Sequence, residues 1–82
     1  MYPGYVLSEG MRGENVRNLQ TYLSRIADVL PQITKIEPDG IFGPATAKAV
    51  KEFQSLYGLP ATGNVGPWTW FNIAREYDAI IL

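Results

Sequence analysis

Two residue types are missing from this sequence, and their absence excludes several kinds of chemistry. The chain has 82 residues and contains neither cysteine nor histidine. Disulfides, thiolate zinc sites and the serine–histidine or cysteine–histidine pairs of many hydrolases are therefore excluded. Carboxylates remain as potential metal ligands, but the turn at Asp39 and Gly40 lacks the alternating ligands of an EF-hand loop. The sequence predicts no catalytic residue, no metal and no cofactor.

Excess basic charge and long apolar runs are also missing. Seven Lys and Arg residues, scattered along the chain, stand against eight Asp and Glu, so the net charge is −1. A nucleic-acid-binding domain would carry a basic excess. The longest apolar runs are a few residues, far below the roughly 18 that span a bilayer. Neither nucleic acid nor a membrane is predicted as a partner, and 46% apolar residues suit one small globular domain.

A regular stripe of apolar residues predicts the first helix. Its members, at steps of three and four, are Val16, Leu19, Leu23, Ile26 and Leu30. Such spacing places them on one helical face. Pro31 ends the helix, because the residue before a proline leaves the helical region.

Two Gly-Pro pairs, Gly43-Pro44 and Gly66-Pro67, open the second and third predicted helices. Proline has the φ angle that the first helical position needs, and glycine is acceptable at the cap before it. Gly58 suits the left-handed position that ends the second helix, and Pro60 prevents its continuation. In the third helix, Trp70 belongs to the predicted buried stripe, whereas Trp68 lies about 200° away around the axis.

These signals predict an all-α fold, a compact three-helix bundle with helices at about 14–29, 44–57 and 67–78. Residues 1–9 are predicted to be a linker or N-terminal extension, residues 10–78 the domain, and residues 79–82 a C-terminal tail. The apolar end of the chain either docks on the core or leads to a further module.

An internal repeat joins a tight turn to each of the last two helices. Residues 39–46, DGIFGPAT, recur 23 residues later as residues 62–69, TGNVGPWT. An apolar residue precedes the second glycine in both copies, Phe42 in one and Val65 in the other. Each copy is interpreted as a turn, an inward-facing plug and a helix begun by proline.

In this order and spacing, the motifs resemble the peptidoglycan-binding-domain-like family. The residues that carry the resemblance are Gly13, Val16, Leu19-Gln20, Leu23, Asp39-Gly40-Ile41-Phe42-Gly43, Thr46, Ala49-Val50, Phe53-Gln54, Gly58-Leu59, Gly63-Asn64-Val65-Gly66 and Thr69-Trp70. The resemblance implies a three-helix accessory module of bacterial cell-wall hydrolases, spore-cortex lytic enzymes or wall-associated proteins. It also implies an extracytoplasmic location at the cell wall or spore. The sequence departs from the family pattern at Thr62, where many members carry aspartate, and at Trp68, where the motif is unconstrained.

Five residues are predicted to contact a ligand: Asp39, Thr46, Tyr57, Asn64 and Trp68. Asp39 can accept a hydrogen bond from a sugar hydroxyl or a peptide amine, or it can simply hold its own turn. Tyr57 and Trp68 offer flat surfaces to sugar rings, and the alternative for Trp68 is incidental exposure. The two proline-started helices also present free backbone N–H groups to carboxylates, unless water or the threonines at positions 46 and 69 satisfy them.

The predicted function is non-catalytic binding of bacterial peptidoglycan, through its glycan or its stem peptide. The module would anchor an attached hydrolase or structural domain at the cell wall or spore cortex, where tethering makes modest affinity sufficient. The alternative is a protein-interaction or structural module that docks on a partner or catalytic domain. Two carboxylate pairs, Glu37 with Asp39 and Glu52 with Glu76, are interpreted as solvated groups, because their spacing does not place them across a cleft.

Overall fold

Residues 1–81 contain three α-helices, as the sequence predicts. The computed structural model describes residues 1–81. Helix α1 spans Glu14–Val29, α2 spans Pro44–Leu56 and α3 spans Pro67–Ile81. Within residues 1–81, no helix has both the length and the apolar character needed to cross a membrane.

Helix α3 continues past the predicted end at residue 78. The predicted tail therefore begins inside the helix, and its last residue, Leu82, lies outside the described residues. Ile80, in this extension of the helix, packs against the core. Helix α2 ends one residue earlier than predicted, with Tyr57 as its cap residue.

The core is formed by the inward faces of the three helices and by apolar side chains of the connecting segments. Its buried members are Leu7, Val16, Leu19, Leu23, Ile26, Ile33, Ile36, Phe42, Ala49, Val50, Phe53, Val65, Trp70 and Ile73. The two plugs predicted from the repeat, Phe42 and Val65, are both among them. Trp70 is buried as predicted, with edge-on aromatic contacts to Tyr2 and Tyr22 at centroid distances of 6.1 and 5.7 Å.

The segment before residue 10, predicted to be a linker or N-terminal extension, contributes a side chain to the packed core. Leu7 is fully buried, and it exchanges two backbone hydrogen bonds with Val65, at 3.0 and 2.8 Å. These bonds form an isolated antiparallel bridge between the N-terminal segment and the second turn. A single inserted leucine produces no periodic pattern, and for that reason the sequence did not reveal it.

Helix α2 ends in the glycine cap that the sequence predicts. Gly58 has a φ of 71°, in the left-handed region. The Leu59 N–H donates to the Gln54 carbonyl at 2.8 Å, and the Gly58 N–H donates to the Ser55 carbonyl at 3.4 Å. This pair of bonds is the Schellman motif, which satisfies carbonyls left free at the helix end.

Candidate functional site

A buried glutamine on α1 fixes the first turn of the repeat. The Gln20 Nε2 group donates to Asp39 Oδ1 at 3.1 Å, to the Ile41 carbonyl at 2.8 Å and to Thr46 Oγ1 at 3.0 Å. Its Oε1 atom accepts a hydrogen bond from the Gly40 N–H at 2.8 Å. One side chain therefore connects α1, the first turn and the first residues of α2.

A second buried glutamine, on α2, repeats this arrangement at the second turn. The Gln54 Nε2 group lies 3.4 Å from Thr62 Oγ1, 3.0 Å from the Asn64 carbonyl and 3.1 Å from Thr69 Oγ1. Its Oε1 atom accepts from the Gly63 N–H at 3.0 Å. The sequence repeat thus corresponds to a repeated hydrogen-bond network, in which each glutamine holds a turn against the start of the next helix.

Both glutamines belong to the motifs that carry the family resemblance, but no role is predicted for them from the sequence. The available signal was the position of each one directly after a core residue, Leu19 or Phe53. A polar side chain at that position must find partners when it is buried. Every buried side-chain nitrogen and oxygen atom among residues 1–81 has a hydrogen-bond partner.

Thr46, predicted as a ligand contact, is inside the fold. It is only 3% exposed, and its hydroxyl accepts the hydrogen bond from Gln20. Glycine has no side chain, so α2 begins at Gly43 without a side-chain cap hydrogen bond. The threonine of the repeat therefore serves the buried glutamine, and its small exposed surface does not favour the predicted ligand contact.

Asp39 lies at the surface in a groove of the first turn, lined by Arg12, Gly13, Glu14, Arg17 and Ile41. Its Oδ1 atom accepts from the Ile41 N–H at 3.0 Å and from Gln20 at 3.1 Å. These two bonds, the one from the Ile41 N–H first, lower the pKa of the Asp39 carboxyl group. The carboxylate is thus ionised and held in one orientation, and it both supports its own turn and faces solvent.

A surface groove runs along α3 and starts at Trp68. It has a volume of about 480 Å³, and its lining residues, which define the α3 groove, are Trp68, Phe71, Asn72, Ala74, Arg75 and Asp78. Trp68 is 72% exposed and Phe71 is 67% exposed. Asn72 Nδ2 donates to the Trp68 carbonyl at 2.9 Å, and Arg75 Nη2 donates to Asn72 Oδ1 at 2.9 Å. These bonds hold the polar side of the groove in place beside the aromatic rings.

Tyr57 and Asn64 lie near α3 but do not line the α3 groove. The Tyr57 ring stacks on Phe53 at a centroid distance of 4.2 Å. Burial, followed by the hydrogen bond and charge of Glu76 on α3, raises the pKa of the Tyr57 hydroxyl. Asn64 is exposed in the second turn, shortly before α3 begins.

The predicted contact residues therefore do not form one site. The groove at Asp39 and the α3 groove have no lining residue in common. Among residues 1–81, no group of three or more acidic side chains is placed to hold a metal ion. The arrangement can contact a ligand through an oriented carboxylate at the first turn and through exposed aromatic rings at α3.

Comparison with known families gives one match that covers most of the chain. Residues 12–70 match the model of the family described as "Putative peptidoglycan binding domain". The matched region contains both glutamines and both turns of the repeat.

Known proteins with similar sequences are larger than this chain. A zinc D-Ala-D-Ala carboxypeptidase of Streptomyces albus G is 47% identical over 72 residues, which cover 88% of this chain and 27% of the carboxypeptidase. A probable N-acetylmuramoyl-L-alanine amidase of Bacillus licheniformis is 39% identical over 66 residues, which cover 80% of this chain and 18% of the amidase. The chain thus spans about a quarter or less of these relatives.

A solved structure of similar size has the same fold. The crystal structure of the SleB N-terminal domain superposes with a TM-score of 0.79 at 30% sequence identity. The superposition covers 94% of this chain and 99% of that domain.

Proposed function

The chain belongs to the peptidoglycan-binding domain family, and we propose that it anchors an attached hydrolase or structural domain at the cell wall or spore cortex. Its own function is peptidoglycan binding. The observation that carries this proposal is the match over residues 12–70, which includes both turn-plus-helix units. The small share of each relative that the chain covers fits a module of a longer protein. Such a module acts outside the cytoplasm, where the wall is.

The geometry supports binding through a rigid scaffold. Gln20 and Gln54 fix the two turns, so residues at the turn surfaces are presented without a large entropic cost on binding. We assign the wall contacts to Asp39 at the first turn and to Tyr57, Asn64 and Trp68 around the start and side of α3. Tethering raises the effective concentration of an attached domain at the wall, so each contact can be weak.

We propose that the module itself is not catalytic. The chain lacks histidine and cysteine. Three of the four carboxylates that could form a glycosidase pair, those of Asp39, Glu52 and Glu76, have other partners. Glu52 accepts hydrogen bonds from the Thr34 N–H at 2.7 Å and from its hydroxyl at 3.1 Å. Glu76 lies beside the Tyr57 hydroxyl. The isolated domain should release neither reducing sugar nor peptide amine from peptidoglycan, and release that disappears in Asp39→Asn would contradict this proposal.

Co-sedimentation with purified, insoluble peptidoglycan sacculi tests the binding function directly. The domain should appear in the pellet with sacculi and in the supernatant without them. Sacculi from several wall types are tested at low salt, so that a negative result cannot be explained by the choice of one unsuitable wall type. A domain that stays wholly in the supernatant would favour the alternative function, docking on a partner or catalytic domain.

A further inference from the structure

The α3 groove exposes two aromatic side chains that the fold does not bury. Trp68 and Phe71 are three residues apart on α3, so their side chains are neighbours on one face of the helix. Both are more than half exposed, in contrast to Trp70 and Ile73, which belong to the core on the other face. Contiguous exposed apolar surface of this kind is typical of a binding site.

The internal repeat shows that the scaffold does not require aromatic residues at these positions. The offset of 23 residues that relates the two turns pairs Trp68 with Ala45 and Phe71 with Lys48. Ala45 and Lys48 are also exposed, on α2, and the hydrogen-bond network around Gln20 is complete with them in place. The aromatic pair is therefore a feature of the second unit alone, and folding does not explain it.

The polar side of the α3 groove has no net charge. Arg75 and Asp78 line the same groove and carry opposite charges. The side-chain amide of Asn72 links the other two residues, because it donates to the Trp68 carbonyl and accepts from Arg75. A site for the several carboxylates of a wall stem peptide would need an excess of positive charge. A neutral polar rim beside aromatic rings instead suits an uncharged ligand with an apolar face.

N-acetylated sugars have this chemistry. The C–H face of a pyranose ring can pack on the electron-rich face of an aromatic ring. Its hydroxyl and acetamido groups can accept from the remaining N–H groups of Arg75 and Asn72 and donate to Asp78. We infer that the α3 groove binds N-acetylhexosamine units of the glycan strand, and this inference rests on the proposed function and names its ligand class.

Competition experiments with two soluble probes test this assignment. The first probe is an oligomer of N-acetylglucosamine, and the second is a soluble stem peptide without sugar. The domain is bound to sacculi, each probe is added, and the protein released to the supernatant is measured. The oligomer should release the domain, and the stem peptide should not.

Variants then assign the effect to the groove. Trp68→Ala and Phe71→Lys give the second unit the residues of the first, and each should weaken oligomer binding, measured by calorimetry, on the order of tenfold. Leu56→Ala, which removes an exposed apolar side chain from α2 outside this groove, should leave the affinity unchanged. Circular dichroism confirms that each variant is folded.

The outcomes separate this inference from the proposed function. Release by the stem peptide alone, or unchanged oligomer affinity in both folded aromatic variants, would overturn the glycan assignment while peptidoglycan binding stands. A wild-type domain that fails to bind any sacculi would overturn the proposed function, and the inference with it.

Discussion

The side-chain amide of Gln20 donates to the hydroxyl of Thr46 at 3.0 Å, across the junction of α1 and α2. The bond from Gln54 to Thr69, at 3.1 Å, is its counterpart in the second unit. Each threonine lies in the first turn of its helix, and each glutamine lies on the preceding helix. These two bonds show that the two copies of the sequence repeat are also equivalent in the three-dimensional structure.

Gln20→Met should destabilise the domain by about 1–3 kcal/mol. Methionine has a similar length, but it leaves the buried Gly40 N–H without its acceptor, and an unsatisfied buried donor costs about that much. Urea denaturation measures the change in the free energy of unfolding. Gln32→Met, at an exposed position, is the control and should change little. Equal midpoints for the two variants would mean that the glutamine does not hold the turn.

Leu7→Ala should cost roughly 2–5 kcal/mol, the range for deleting a buried leucine side chain. Leu7 is fully buried, whereas its neighbour Val6 is about half exposed. Val6→Ala should therefore stay within about 0.5 kcal/mol of the wild-type protein. Thermal or urea unfolding distinguishes the pair, and a small effect of Leu7→Ala would contradict the packing of this segment on the core.

The two tryptophans of α3 should differ sharply in their contribution to stability. Trp70→Ala removes a core ring between Tyr2 and Tyr22 and should cost roughly 3–5 kcal/mol. Trp68→Ala should cost no more than about 0.5 kcal/mol, because its ring is exposed. Urea denaturation of both variants provides the measurement. A strongly destabilised Trp68→Ala protein would show that the exposed face of α3 is packed in solution.

Gly58→Ala should destabilise the domain by about 1 kcal/mol, through backbone conformation alone. The φ of Gly58 is 71°, and a Cβ atom added there would meet nothing within 4 Å. A steric clash therefore does not contribute to the expected loss in the free energy of unfolding. Ser55→Ala, in the last turn of the same helix, serves as the control in denaturant titrations. A Gly58→Ala domain as stable as the wild type would mean that α2 ends differently.

Acid should remove a stabilising contribution that depends on Asp39. Its pKa in the folded state lies below the ordinary value of 3.8, because the Ile41 N–H and Gln20 donate to the carboxylate. The contribution is therefore present above the unfolded-state pKa and is lost as the pH falls through the folded-state pKa. Denaturation from about pH 5 to about pH 2 should show a shallower decline in stability for Asp39→Asn than for the wild type. Identical slopes would contradict this assignment.

Local patterns in the sequence determined the three helices, the Gly58 cap and the opposite placement of Trp68 and Trp70. Helix periodicity, Gly-Pro starts and a glycine stop act within a few residues, so the chain reveals them without its folded partners. The repeat at residues 39–46 and 62–69 similarly identified two equivalent units. The family resemblance required the same motifs in order along the chain.

Only the tertiary structure decided which side chains face inward at the turns and which surfaces come together. Leu7 reaches the core because it pairs with Val65, more than fifty residues away in the sequence. Thr46 is buried by a bond to Gln20 on another helix, so its hydroxyl is not free for a ligand. Asp39 and Trp68 belong to separate grooves, and this separation too results from the packing of the segments in the folded domain. Such contacts depend on how distant segments pack, which local sequence patterns do not specify.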